Sequence, residues 1–296
     1  MIKVNTLCAI CGFDTPSKVI IEESIPNGVI GFDTFSARRT PDKITFRWVK
    51  CNFCNLVRSY QTSPINLDNL YVNSFFNYSD LVPNLIKTYS KIIKRYIINT
   101  NSNILEIGGG NGFMIHELFK NGYNKLLEIE PSIDAFNSSH DEIKKFFIRD
   151  MFNGSLMIEN KFDFIMTFHV FDHVPNPLEF LSHCRKFLKD GAPIVIAVHN
   201  QKSFSEKILK DKSPIYDVEH TFLYSKKTLA HILKLAGFGN IKVKTYWNWV
   251  TIDYLIHLMP IPSKLKAFMN SMKIKRYYQK ISLYLPLGNI YAVATN

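Results

Sequence analysis

The chain has 296 residues, 46% of them hydrophobic and 21% charged. That balance excludes a mainly disordered, collagenous or coiled-coil protein and suffices for one full domain with a small appendage. Thirty-six Lys and Arg against 25 Asp and Glu give +11, which favours nucleic acid, phosphorylated metabolites or acidic lipid as partners, although the wealth of Lys, Asn and Ile is also what an AT-rich genome produces.

Residues 1–65 read as a small β module. Cys8-Ala9-Ile10-Cys11 and Cys51-Asn52-Phe53-Cys54 are two CxxC knuckles. Each knuckle presents two thiolates from one tight turn, and two knuckles complete a tetrahedral site. Gly12 and Asn55, next in sequence, are the residue types that best tolerate a left-handed backbone. With Cys8, Cys11, Cys51 and Cys54 all ligating, no position stays open for water, so the expected metal is a structural Zn2+. The runs at 19–21 and 44–49 read as strands, and so short a segment depends on its metal for stability. The fifth cysteine, Cys184, falls in a predicted helix and reads as a small buried apolar side chain.

Residues 66–100 form a linking segment. Leu81, Leu85, Tyr89, Ile92, Ile93, Tyr96 and Ile97 recur at helical spacing and predict a helix over 81–98. From 101 onward, strand and helix alternate. Strands are predicted at 103–107, 125–130, 146–150, 162–168, 192–198, 240–246 and 289–295, with helices at 113–120 and 225–236. This is the pattern of an α/β fold with a doubly wound sheet. Glu106-Ile107-Gly108-Gly109-Gly110-Asn111-Gly112 follows the first of these strands and opens a helix, so that backbone can approach a ligand closely. Glu130 ends the next strand, where a carboxylate can accept both hydroxyls of a ribose. Asp150 ends the third and is expected to face an adenine amino group. No apolar run reaches the roughly 18–20 residues of a membrane span, and the N-terminus lacks a secretory apolar stretch, so a cytoplasmic protein is expected.

Over residues 80–245 these features resemble the class I S-adenosylmethionine-dependent methyltransferases. ExGxGxG is their first motif. The run Phe168-His169-Val170-Phe171-Asp172-His173-Val174-Pro175-Asn176-Pro177 resembles a further family segment, with Asp172 where Glu is usual, and Lys189-Asp190-Gly191-Ala192 resembles their turn before the fifth strand. The resemblance implies a Rossmann-like seven-stranded sheet whose last strand enters antiparallel between the fifth and sixth. It also implies S-adenosyl-L-methionine as cofactor. The expected cofactor-binding set is Glu106, Gly108, Gly110, Gly112, Glu130, Asp150, Met151, Phe168 and His169. A four-cysteine module joined to such a core is similar to the zinc-domain methyltransferases of deoxysugar and cell-surface glycan pathways. Uncharacterised methyltransferases carry a run like Thr34-Phe35-Ser36-Ala37-Arg38-Arg39-Thr40-Pro41-Asp42.

That likeness implies a sugar, nucleotide-sugar or glycan acceptor, methylated on oxygen or carbon. Methyl transfer needs an aligned nucleophile, and histidine is the natural base near neutral pH. The segment 213–221 resembles one in which a Glu-His pair serves the acceptor, so His220 is the expected general base, oriented by Glu219. His199, ending the fifth strand, is expected to contact the acceptor, and His173 to pack its loop. Residues 247–286, aromatic and then basic, are expected to be a helical insertion over the ligand side, with contact to an anionic membrane or lipid-linked glycan as a further reading. A zinc-finger RNA methyltransferase and a non-catalytic cofactor-binding scaffold are the alternatives; nucleic acid is the weaker partner, and the oligomeric state stays open.

Overall fold

The strands sort into two sheets that share one short connecting segment in the computed structural model, which describes residues 3–25, 44–60, 67–73, 79–97, 99–156, 158, 161–258, 262–269, 271, 275, 276, 278 and 280–296. The run at 34–42 lies outside the described residues. The N-terminal sheet contains β1 (Lys3–Leu7), β2 (Asp14–Ile21), β3 (Arg47–Cys51) and β4 (Val57–Tyr60), each antiparallel to the next. Trp48 is fully buried and donates its indole N–H to Thr45 Oγ1 at 2.8 Å. Its ring meets Tyr216 edge-on at 5.4 Å, and Trp48, Val57, Ile215 and Leu223 form one apolar cluster. The small sheet therefore buries its apolar side against the segment 215–223, as a module too short to enclose a core must.

Between the sheets come α1 (Leu67–Val72) and α2 (Val82–Ile93). The predicted helix over 81–98 ends at Ile93, where the N–H groups of Tyr96 and Ile97 both return to the Ile93 carbonyl and close the last turn. Leu85, Tyr89, Ile92 and Ile93 pack with Phe113, Met114 and Phe168, so α2 belongs to the core of the main sheet.

The main sheet takes β5 (Ile104–Ile107), β6 (Leu126–Ile129), β7 (Phe147–Ile148), β8 (Phe164–Phe168), β9 (Pro193–His199), β11 (Gly239–Thr251) and β12 (Ser282–Thr295). The remaining strand, β10 (Phe222–Leu223), pairs with β4 in the small sheet. The order in the main sheet is β11-β12-β9-β8-β5-β6-β7, with β12 antiparallel to both neighbours and β5 to β9 parallel. This is the expected doubly wound seven-stranded sheet, last strand inserted. Its central strands, ILEI and FIMTF, are buried at every position because helices cover both faces. Those helices include α3 (Phe113–Lys120), α4 (Ile133–Asn137), α5 (Pro177–Phe187), α6 (Phe204–Leu209) and α7 (Lys226–Leu235). The third predicted strand shrinks to two residues, because β7 is an edge paired only to β6 and residues 141–146 wind into a 3-10 turn before it.

The expected helical insertion at 247–286 is corrected. β11 and β12 stay paired out to Thr251 and Ser282, so both ends of the insertion are an antiparallel ribbon. Only its tip carries short helices, α8 (Ile252–Leu258) and α9 (Ser263–Met269). The ribbon persists because Trp247 and Trp249 both meet Tyr284 of the facing strand in tilted ring contacts, at 5.4 and 5.1 Å, a cross-strand aromatic pairing that favours sheet. Thr88 Oγ1 of α2 accepts the Trp249 N–H at 3.0 Å and ties the ribbon to the core. No helix among the described residues is long and apolar enough to cross a membrane.

Candidate active site

A cavity of about 770 Å³ opens at the carboxyl ends of β5, β6, β8 and β9, where open α/β sheets bind ligands. One end is built by the turn after β5. Gly110 sits at φ +63° and gives its N–H to Glu130 Oε2 at 2.9 Å, while Glu130 Oε1 accepts the Ser132 N–H at 2.9 Å. Burial pushes the Glu130 carboxyl up, and these two N–H groups pull it back. Gly109 is held by close approach: a Cβ there would strike the carboxyls of Glu128 and Glu106. Gly108 lines the cavity beside Val170. Gly112, expected to touch cofactor, is outside the lining; at φ +69° it starts α3 and packs under Phe147.

Beneath this turn lies a carboxyl pair that includes a residue sequence reasoning missed. Parallel register sets Glu106 beside Glu128, both fully buried. Glu128 Oε1 accepts the Gly109 N–H at 2.7 Å. Burial, then mutual repulsion, pushes Glu128 well above the usual carboxylate range, and burial raises Glu106 to about 7. One proton shared between them satisfies both. The signal was present in the sequence: Glu128 stands two residues before Glu130, on the same face of the strand.

Asp150 departs from expectation. It is exposed, lies outside the main cavity, borders a side recess with Arg149 and Pro131, and accepts the N–H of Met151 at 2.7 Å. Because β7 stops at Ile148, Asp150 falls beyond the sheet and closes a local turn. Met151 does line the cavity, as do Phe168 and His169. Phe168 stacks on Tyr89 at 4.0 Å, and His169, at φ +56°, places Nε2 2.9 Å from the Tyr246 hydroxyl.

The other end of the cavity gathers His169, His173, His199 and His220 around one buried carboxylate, Asp172. Its carbonyl accepts the N–H groups of Thr221 and Phe222 and the Thr221 hydroxyl, which joins the chain after β8 to the chain before β10. Asp172 Oδ2 accepts the His199 N–H at 3.2 Å. The His199 ring puts Nδ1 3.0 Å from Asn289 Oδ1, whose amide nitrogen donates to Asn248. His173 Nδ1 lies 3.0 Å from both the Glu219 carbonyl and the Tyr71 hydroxyl. His220 Nδ1 meets Asp217 Oδ1 at 2.8 Å. Burial drives His173 and His199 down to about 4. Burial also opposes charge on His220, but Asp217 and then Asp172 outweigh it and raise this imidazole to about 9. Asp172, despite its burial, is held well below the usual carboxylate range by the surrounding imidazoles.

Two expectations change here. Asp217, not Glu219, orients His220: its Oδ1 also accepts the N–H groups of Glu219 and His220, each at 2.9 Å. This is an Asx turn, legible in the spacing Asp217-x-x-His220. Glu219 lines the cavity and serves His173 through its carbonyl. The second change is that Asp217 and Asp172 favour the charged form of His220, which makes it a poorer candidate for the free base than His199. His173, expected only to pack its loop, lines the cavity. Among the described residues no Lys or Arg lines the cavity, whereas Glu106, Glu130, Glu179, Glu206, Asp217 and Glu219 do. The excess positive charge lies elsewhere.

In the small sheet, the four predicted cysteines converge within 4.8 Å of one another as free thiols. Sγ separations are 3.4 Å for Cys8–Cys54 and 3.8 Å for Cys11–Cys51. Bonds of about 2.3 Å to a tetrahedral zinc set sulfurs about 3.8 Å apart, so the donor set fits that ion. Gly12 and Asn55 are left-handed, at φ +76° and +64°.

A parallel sheet with a reversed last strand, a glycine turn over an acidic strand end and a cavity between them define a methyl-transfer domain. A family model described as a methyltransferase domain matches residues 82–243, more than half of the chain, and the chain belongs to that family; it is an S-adenosylmethionine-dependent methyltransferase. An uncharacterised protein of Methanocaldococcus jannaschii is 26% identical over 181 residues, covering 60% of this chain and 83% of its own length. Among solved structures, YcgJ of Bacillus subtilis has a TM-score of 0.51 at 12% identity, over 70% of this chain and 97% of that one. A chain from the complex of the Haloferax volcanii Trm112 methyltransferase activator with a methyltransferase has a TM-score of 0.51 at 13% identity, over 73% and 90%. At these identities the two structures are similar in fold alone.

Proposed function

We propose that this enzyme methylates a small sugar-type acceptor whose reacting part is uncharged, with cofactor and acceptor side by side in the one cavity. The observation that carries the reading is the continuity of that cavity from the Gly108–Gly110 turn and Glu130 at one end to His199 and His220 at the other. S-adenosyl-L-methionine supplies an electrophilic methyl and leaves as a neutral thioether. Glu130 would hold its ribose hydroxyls, the bare Gly108–Gly110 backbone would take its close approach, and Met151, Phe168 and His169 would line its remaining surface. A polyol suits the acceptor end, where Asn248, Asn289, Glu206 and Glu219 offer hydrogen bonds without a Lys or Arg among the described lining residues. Phosphates of a nucleotide-linked sugar would lie outside this lining. RNA fits it poorly, because its phosphates would meet carboxylates.

His199 is the general base in this reading. Asn289 Oδ1 can only accept, and its amide nitrogen is engaged with Asn248 Oδ1, so His199 Nδ1 carries the hydrogen and Nε2 keeps its lone pair. A hydroxyl of the acceptor gives its proton to Nε2 as its oxygen takes the methyl, and the proton then leaves to solvent. Zinc at Cys8, Cys11, Cys51 and Cys54 would be structural, with no position open for substrate. Calorimetry with S-adenosylmethionine, followed by labelled cofactor offered with free sugars, nucleotide-sugars and total RNA, tests the reading. Cofactor binding and label in a sugar support it. No cofactor binding, or label in RNA alone, overturns it.

A further inference from the structure

We infer that Asp172, His173 and His220 form a mononuclear site for a divalent first-row transition ion at the acceptor end of the cavity, separate from the four-cysteine site. Three electron-pair donors face one another there. Asp172 is completely buried, and its Oδ1 has no hydrogen-bond partner among the described residues. His173 Nε2 lies 3.9 Å from that oxygen, and His220 Nε2 lies 3.8 Å from Oδ2. Both gaps are too long for a hydrogen bond. Two bonds of about 2.0–2.1 Å meeting at a tetrahedral angle set their ligand atoms about 3.4 Å apart, so small rotations would let one ion bridge all three groups. The three donors lie within 4.8 Å of one another.

The outer partners fix which nitrogens point inward. The Tyr71 hydroxyl donates to the Glu219 carbonyl at 3.1 Å. It therefore turns a lone pair to His173 Nδ1, as the Glu219 carbonyl does, and His173 Nδ1 must carry the hydrogen. The Asp217 carboxylate does the same for His220 Nδ1. Both rings thus aim Nε2 at Asp172, each held from behind by an acceptor, which is how ligating histidines are oriented in metal sites. A proton on His220 could satisfy one of the two gaps. It would leave His173 facing Oδ1 across the other, lone pair to lone pair, in a buried site. A divalent ion satisfies all three groups at once.

Two imidazoles and one carboxylate suit Zn2+, Fe2+, Co2+ or Mn2+. His173 and His220 line the cavity, so the ion's remaining positions face the acceptor. An acceptor oxygen bound there would become more acidic, next to His199, whose ring centre is 5.0 Å from that of His220. Binding of the ion does not depend on which acceptor is methylated.

The test is a Co2+ titration of the full-length protein, read by visible absorption and by elemental analysis. The expected result is one equivalent with d–d bands and no thiolate-to-cobalt charge transfer; cobalt at the cysteines would carry that transfer band. His173→Gln and His220→Gln should each weaken this equivalent at least tenfold, with S-adenosylmethionine affinity within about twofold of the parent by calorimetry. If the parent binds cobalt only with thiolate charge transfer, or if folded variants bind it as the parent does, the site is refuted. Should a variant not fold, X-ray absorption of the cobalt-loaded parent decides: imidazole scattering from two rings supports the site, and its absence overturns it.

Discussion

At the scale of single residues, the proposed base is a side chain whose proton is assigned by its neighbour. His199 depends on Asn289 for its tautomer. His199→Ala should leave S-adenosylmethionine affinity unchanged and lower turnover about 10²- to 10⁴-fold. Asn289→Leu should lower kcat with little change in KM, and steady-state kinetics would read both; full turnover in either variant removes His199 as the base. Glu130→Ala removes a carboxylate held by two backbone N–H groups. It should weaken S-adenosylmethionine about 10- to 100-fold by calorimetry, the loss expected for hydrogen bonds to a charged group.

The carboxyl pair under the glycine turn makes a prediction about pH. A group whose folded pKa is raised favours the fold while protonated and costs stability as the pH climbs from its unfolded value toward its folded one. For Glu106 that window runs from the ordinary carboxylate range to about 7, and Glu128 lies well above the ordinary range too. Glu128→Gln abolishes the repulsion, so the advantage of the variant in unfolding temperature should be greater at pH 8 than at pH 5. Equal differences at both pH values would show that the pair carries no such strain.

At the scale of elements, the small sheet and the catalytic segment before β10 support each other. β10 pairs with β4 through Phe222–Arg58 and Leu223–Val57, and the Ser59 N–H donates to the Thr221 carbonyl at 2.9 Å. His220 stands directly before these contacts. Loss of the four-cysteine site should therefore reach the active site by this route. The parent should hold one zinc by elemental analysis, and a Cys8→Ser, Cys11→Ser double variant should hold none and show faster amide exchange at 220–223, with the exchange of β5 and β8 unchanged. Slow exchange at 220–223 in a zinc-free variant would separate the two units. Trp48→Ala, a large side chain removed from the same junction, should cost about 3–5 kcal/mol in denaturant unfolding.

At the scale of the whole molecule, charge and site are segregated. The chain carries +11, yet the described lining of the cavity contains carboxylates and no Lys or Arg. Net charge alone pointed to anionic partners; the reacting end of the acceptor meets the opposite environment. Raising salt should accordingly leave KM for a neutral sugar within about twofold, because no Lys or Arg of the described lining is there to be screened.

Periodicity and motif spacing were enough to predict the doubly wound sheet, the glycine turn and the clustering of the four cysteines, because each is a local pattern: strand period, turn chemistry or knuckle spacing; the seven-stranded order came from the family resemblance. The place of Asp150 was misread because a strand's length depends on its neighbour, and β7 has one. The ribbon at 247–251 and 282–286 was misread because it is held by tryptophan–tyrosine contacts between segments more than thirty residues apart. Glu128 beside Glu106, Asp217 rather than Glu219 on His220, and the meeting of four histidines at Asp172 come from strand register and from loops closing on one another. The resemblance carried by the Glu106–Gly112 turn and the run at 168–177 implied what class of chemistry this chain performs. Only the folded chain decided which nitrogens face which oxygens, because a proton's position is set by groups that are distant in sequence and adjacent in space.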